Sequence, residues 1–320
     1  MASNQLVCAV WRNMRRVFLI CGMFIVASVS TATSPAPYIL ILGVTQDAGY
    51  PQAGCYAAHC KAGWEDRAKQ RGAVSLGLVS PNTHAKYLFE ATPNLPQQLY
   101  ELELDAPSDQ FNLAGVFVTH AHIGHYAGLM YFGHEAMGAK NVPVFAMPRM
   151  TSYLKNNGPW SQLVEFKNIE LQVLTNGSPV TLDDISVTPF LVPHRDEYSE
   201  TVGFRIDGPS KSALFIPDIN KWPLWDQSLV EQVKSVDYAL IDGAFYADGE
   251  LPGRDMSVIP HPFVIETMAT LDTLSSAERG RVFFIHLNHT NPLLDPSSEQ
   301  SMAVRNAGFK VATEGVKLEL

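Results

Sequence analysis

The chain has 320 residues, of which 46% are hydrophobic, 10% aromatic and 17% charged; that mix excludes a disordered chain, a collagen-like repeat and a coiled coil. Its formal charge of −9, from 32 acidic and 23 basic residues, argues against nucleic acid as the main partner, because a phosphate-binding face needs a Lys/Arg surplus. The length suits one sheet-rich α/β domain, with a core large enough to fold without disulfide or metal staples.

Residues 1–32 read as an export signal. Arg12, Arg15 and Arg16 form a basic stretch free of acidic residues, Val17 to Val29 are apolar apart from Gly22 and Ser28, and small residues follow from Ser30 to Ser34. An apolar core of ~13 residues fits a signal peptide and falls short of the ~20 needed to span a bilayer. The expectation is therefore a periplasmic or secreted protein, membrane-attached only if the segment stays uncleaved as an anchor. Cleavage removes Cys8 and Cys21 and leaves Cys55 and Cys60, which can pair as a disulfide in an oxidising compartment.

From residue 38 to 320 no repeat or low-complexity tract appears. Apolar runs bounded by Gly, Pro, Asn and Asp predict strands at 38–44, 75–80, 86–89, 115–119, 143–147, 201–206, 212–216, 238–241 and 282–285. Helical spacing appears at 95–104, 124–132, 150–156, 222–233, 263–274 and 297–307. Strands interleaved with helices predict two sheets packed together with helices outside, in one α/β domain.

Histidines carry the chemistry. The strand ending at Thr119 runs into His120-Ala-His122-Ile-Gly124-His125. A His-x-His at a strand end points two imidazoles the same way, and neutral imidazole is the commonest side-chain ligand for zinc-like metals. His194, Asp218 and His286 each follow another apolar strand, where ligands converge on α/β folds. Any one of these residues alone reads more simply as a loop histidine or aspartate. Six in the same setting point to a metal site.

This pattern resembles the metallo-β-lactamase superfamily, whose motif Thr-His-x-His-x-Asp-His is followed by a lone His, a lone Asp and a final His. The chain matches at His120, His122, His125, His194, Asp218 and His286, and departs at Gly124, where the family has Asp. Ile41-Leu-Gly43, Gly49-Tyr-Pro51-Gln-Ala-Gly-Cys55, Leu88-Phe-Glu-Ala-Thr-Pro93, Ile241-Asp-Gly-Ala-Phe245 and Ile285-His-Leu-Asn-His289 are similar to the pyrroloquinoline-quinone (PQQ) biosynthesis B branch. The phosphoribosyl cyclic phosphodiesterases share part of the same pattern. The resemblance covers residues 38–320 and implies an αββα sandwich, two mixed β-sheets face to face with helices outside.

It also implies roles. One metal sits on His120, His122 and His194. A second takes His125 and His286, with Asp218 bridging and Gly124 supplying nothing, so the second metal is expected to be labile. Restoring Asp at 124 should then strengthen it. His261 is a candidate for substrate binding or proton transfer, with a plain loop histidine as the alternative. Cys55-Tyr-Ala-Ala-His59-Cys60 is similar to the family's three-cysteine cluster with Ala57 in the middle position. Cys55, His59, Cys60 and His289 are then ligands of a structural zinc, with a Cys55–Cys60 disulfide as the competing reading.

The leading expectation is an exported hydrolase acting on a small molecule with an ester, lactone, β-lactam or phosphodiester bond. Zinc is the expected metal, with manganese or iron as alternatives. A PQQ biosynthesis B-like, iron-dependent oxygenase is the second reading, and a non-catalytic binder with an impaired second metal is the third. Substrate identity and oligomeric state are not legible in the sequence.

Overall fold

Strands and helices alternate through residues 35–320, which the computed structural model describes; the proposed export segment lies outside them. The strands are β1 (Tyr38–Gly43), β2 (Ser75–Ser80), β3 (Ala85–Phe89), β4 (Asn112–Phe117), β5 (Val142–Ala146), β6 (Ile169–Val173), β7 (Val180–Leu182), β8 (Ile185–Leu191), β9 (Val202–Asp207), β10 (Ser212–Ile216), β11 (Tyr238–Asp242), β12 (Val282–Ile285), β13 (Lys310–Val311) and β14 (Lys317–Glu319). They form two seven-stranded sheets, in the orders β14-β1-β2-β3-β4-β5-β6 and β13-β12-β11-β10-β9-β8-β7. Both sheets are mixed: β3 to β6 run parallel, as do β10 to β13, while the other pairs are antiparallel.

The sheets pack through a shared aromatic core. Phe89 of β3 stacks on Phe117 of β4 at 5.0 Å between ring centres, and Phe117 stacks on Phe145 of β5 at 4.4 Å. From the other sheet, Phe204 of β9 and Phe215 of β10 meet Phe89 edge-on at 5.3 and 6.1 Å. These offset and edge-to-face geometries suit the ring quadrupole. Burying each ring stabilises the fold by about 1.5–3 kcal/mol.

Helices cover the outer faces. The first sheet carries α2 (Leu95–Asp105), α4 (Pro148–Asn156) and α5 (Trp160–Glu165), whose Leu102, Leu154 and Leu163 enter one outer cluster, with α1 (Ala58–Glu65) and α3 (Ile123–Tyr126) as short pieces before and between them. The second sheet carries α6 (Leu229–Lys234), α7 (Val264–Thr270) and α9 (Glu299–Asn306), whose Val233, Val264 and Val304 enter another, with α8 (Ser276–Arg279) between the last two. The expected αββα sandwich is the observed one. Among the described residues no helix is long and apolar enough to cross a membrane.

Two expected helices are broken. The pattern at 124–132 is the one-turn α3 followed by a 3-10 segment at Ala127–Phe132. The pattern at 222–233 is a 3-10 turn at Trp222–Leu224, then α6, which restarts where the Ser228 side chain accepts from the Glu231 N–H. β8 was hidden by Pro189, which pairs with Phe204 of β9. β7 reaches only as far as Val187 on the other side, so the missing N–H of Pro189 lies beyond the ladder.

Candidate metal centre

Parallel strands deliver the site. Glu90 follows β3, His120 and His122 follow β4, Asp218 follows β10, Asp242 closes β11 and His286 follows β12. All lie at carboxyl ends of strands, where crevices open in α/β sheets. The motif histidines sit in a loop rather than on a strand face: His122 is extended at φ −90° and ψ 142° and caps α3. That turn sends His120 and His122 to one point. Glu90 and His286 hold left-handed backbone, at φ 73° and 64°, a strain that non-glycine residues keep only where surrounding structure imposes it.

His120, His122, His194 and Asp218 form one ligand set, with a donor atom from each within 4.8 Å of the others. Nε2 of His120 lies 2.8 Å from Nδ1 of His122, which is 3.2 Å from Nε2 of His194. Oδ2 of Asp218 is 3.4 Å from His120 Nε2 and 3.1 Å from His194 Nε2. The far nitrogens are held by other groups. His120 Nδ1 donates to Thr119 Oγ1 at 2.8 Å, His194 Nδ1 donates to Asn220 Oδ1 at 3.2 Å, and His122 Nε2 faces Glu197 at 3.4 Å. Such partners fix ring orientation and tautomer, leaving the inward nitrogen bare for a metal.

A second set adjoins the first. Asp47, His125 and His286 bring donor atoms within 4.8 Å of one another, and His125 Nε2 lies 3.7 Å from the shared Oδ2 of Asp218. Buried Glu90 accepts from His125 Nδ1 at 3.2 Å and from the Thr119 hydroxyl. Position 124 and Asp47 meet at this set. Gly124 does supply nothing, but Asp47 brings a carboxylate from a different loop.

The charges are those a metal site needs. Burial would raise Asp218, but His194 and His261 hold it well below its usual value. Burial would also raise Asp47, but His125 and His286 hold it down. Burial and the neighbouring His125 push His120 well below its normal range, keeping it neutral. Burial opposes charge on His125, yet Glu90 and Asp47 outweigh it and hold that imidazole well above its ordinary value. A metal would take the place of that proton, since bound ligands must be deprotonated. Among the described residues, Asp47 Oδ1, His125 Nε2, Asp218 Oδ1 and both ring nitrogens of His286 are buried without a hydrogen-bond partner. The donor set fits a pair of divalent metals of the zinc, iron or manganese type.

His261 lies beside the centre. Its Nδ1 donates to Asp242 Oδ2 at 2.8 Å and lies 3.3 Å from Asp218 Oδ1. Asp242 is anchored by the N–H groups of Ala244 at 2.8 Å and Ile219 at 3.2 Å. Burial opposes charge on His261, but Asp242 and Asp218 raise it to about 9. The ring is thus braced beside the metal ligands by two carboxylates.

Cys55, His59, Cys60 and His289 also come together, with their donor atoms within 4.8 Å. Cys55 and Cys60 are joined as a disulfide, which is the competing reading of that cluster. His59 Nε2 stands 3.3 Å from Cys55 Sγ, and the His59 and His289 rings are 5.5 Å apart. A zinc site on these four side chains would first require reduction of that disulfide.

Sequence reasoning missed Asp47, Glu90, Asn220 and Glu197. Glu90 follows an apolar strand just as the histidines do, so the same signal pointed to it. Asp47 lies in a glycine-flanked loop with no pattern of its own.

The Beta-lactamase superfamily domain model matches residues 85–287, which include every motif histidine and Asp218. The chain belongs to the metallo-β-lactamase superfamily. Within it, the chain is similar to the PqqB branch. It is 25% identical over 306 residues to the coenzyme PQQ synthesis protein B of Xanthomonas campestris pv. campestris (strain B100), covering 88% of this chain and 99% of that protein. It is 26% identical over 307 residues to the same protein of Methylobacterium sp. (strain 4-46), with the same coverage. The crystal structure of Zn(2+)-bound PqqB from Methylobacterium extorquens superposes with a TM-score of 0.74 at 22% identity, over 88% of this chain and 100% of the other. A diphosphatase from the PhnP family superposes with a TM-score of 0.62 at 19% identity, over 90% and 98%.

Proposed function

We propose that this chain is a PqqB-like, metal-dependent enzyme acting on a small-molecule precursor of a quinone cofactor. The observation that carries the reading is the adjoining ligand sets His120, His122, His194, Asp218 and Asp47, His125, His286, with Asp218 Oδ2 3.7 Å from His125 Nε2, in a chain similar to PqqB proteins over 88% of its length. When bound, a metal would supply Lewis acidity towards water or, as iron, redox chemistry towards oxygen. The protein's own part is positioning. Glu90, Thr119 and Asn220 hold the ligand rings, and Asp242 holds His261 through its Nδ1. His261 thereby serves substrate binding or proton delivery, and Asp218 is the shared carboxylate.

A second reading, hydrolysis of a small molecule, is favoured by Asp47. With that carboxylate the second ligand set has the two imidazoles and two carboxylates of a water-activating pair. The binder reading rests on an impaired second set, and the Asp47 carboxylate beside His125 and His286 counts against it. Export remains an expectation drawn from residues 1–32, and a small molecule, not nucleic acid, is the proposed partner.

The test is genetic and chemical together. A bacterium that needs PQQ and lacks its own PqqB is given the full chain, the chain without residues 1–32, and His120→Ala. Restored growth with at least one of the first two, lost with His120→Ala, supports the proposal. Failure of both, with metal-dependent ester or phosphodiester cleavage by the purified protein, moves hydrolysis to the front.

A further inference from the structure

We propose that Asp47 ligates the second metal in place of the carboxylate that the family motif carries at position 124, and that Gly124 is glycine to make room for it. The inference rests on the two-metal reading above and adds a ligand that the motif does not contain.

Space is the first argument. A Cβ built on Gly124 would lie 2.3 Å from Cα of Asp47, 2.7 Å from its Cβ and 2.5 Å from its Oδ1. The backbone contact cannot be relieved by a rotamer change. No side chain fits at 124 while Asp47 is where it is. Conformation gives glycine no other purpose here: Gly124 is not among the residues of positive φ, it lies within α3, and glycine there costs about 1 kcal/mol against alanine.

Direction is the second argument. Asp47 Oδ1 lies 3.2 Å from His125 Nε2 and 4.0 Å from His286 Nε2. Because His125 Nδ1 donates to Glu90, a neutral His125 presents a bare nitrogen lone pair to a carboxylate oxygen. At this distance the two atoms are held together by a proton on Nε2 or by a metal bound to both, and the metal would take the proton's place. Neither atom makes a hydrogen bond of acceptable geometry, as is expected of donors aimed at a common point beside them.

Anchorage is the third. The loop before Asp47 is tied to the segment after His286: the N–H of Gln46 donates to Leu287 O at 2.9 Å, and that of Leu287 donates to Val44 O at 2.8 Å. Gly49, at φ 77°, turns the chain back, with its N–H on Gln46 O at 3.0 Å. The carboxylate is thus held in register with His286 by backbone bonds.

The test is zinc binding to the purified full chain, measured by competition with a chromophoric chelator and by metal content after desalting. Four variants are compared with the parent: Asp47→Asn, Asp47→Gly, Gly124→Asp and the exchange Asp47→Gly with Gly124→Asp. Thermal melting of each metal-free protein checks that it is folded. The expected result is that Asp47→Asn and Asp47→Gly keep the tighter zinc and bind the weaker one at least about tenfold less well. Gly124→Asp alone loses the weaker zinc or the fold, and the exchange recovers the second zinc. Unchanged affinity for both zincs in Asp47→Asn overturns the assignment of Asp47 and leaves the two-metal reading standing. A parent chain that takes up no zinc at this centre overturns both.

Discussion

The Glu90 carboxylate stands 3.2 Å from Nδ1 of His125 and also receives the Thr119 hydroxyl, whose oxygen accepts from Nδ1 of His120. One fully buried carboxylate therefore orients a ligand of each metal set. Replacing Glu90 by Gln keeps the shape and removes the charge. Metal affinity should fall about 10- to 100-fold, more at the His125 set, which bonds Glu90 directly, than at the His120 set. Chelator competition on Glu90→Gln checks this, and an unchanged affinity would show that Glu90 is only a packing residue.

The same link explains what the sequence could and could not reveal. Strands 75–80, 212–216 and 282–285 were legible to the residue, because each is a short, mainly apolar run between turn residues. The motif histidines, His194, Asp218 and His286 were legible because each ends such a run. β6, β7 and β8 were not: β6 is a half-exposed edge strand, β7 has three residues, and β8 carries Pro189. Asp47 was hidden because its partner is Gly124, distant in sequence and visible only as a missing side chain.

Cys55 and Cys60 lead to a prediction in two parts. In the oxidised protein, alkylation followed by peptide mapping should leave both unmodified. After reduction, His59 and His289 complete a four-ligand set with the two thiolates, and one further zinc should bind, lost in His289→Ala. Reduced protein that takes up no extra zinc would leave the cluster as a disulfide loop alone.

Glu314 gives a pH signature. Burial raises its carboxyl to about 7, although the N–H of Gly72 donates to it. The fold therefore holds the proton more tightly than the unfolded chain does. Its contribution is complete below the unfolded value near 4.5 and is lost as pH rises towards 7. Glu314→Gln keeps an acceptor and does not titrate. Its stability relative to the parent should rise by about 2 kcal/mol between pH 5 and pH 7. Urea titrations at both pH values read this, and a constant difference would contradict it.

Phe117 links core to centre. It is fully buried, stacked between Phe89 and Phe145, and lies three residues before His120 on the same chain segment. Phe117→Ala should cost about 3–5 kcal/mol in urea unfolding and loosen the loop that carries His120 and His122. A loss below about 1 kcal/mol would mean that the sheets close over the gap.

The central claim is a two-metal centre built from seven side chains. Anomalous X-ray diffraction from crystals of the purified protein, collected on either side of the zinc, iron and manganese edges, tests it most directly. The account predicts two peaks: one at about 2.0–2.2 Å from ligand atoms of His120, His122 and His194, the other at that distance from Asp47, His125 and His286, with Asp218 between them. The edge that produces the peaks names the metal, with iron favouring redox chemistry and zinc favouring hydrolysis. Density without a peak at either position, in protein supplied with all three metals, would contradict the account.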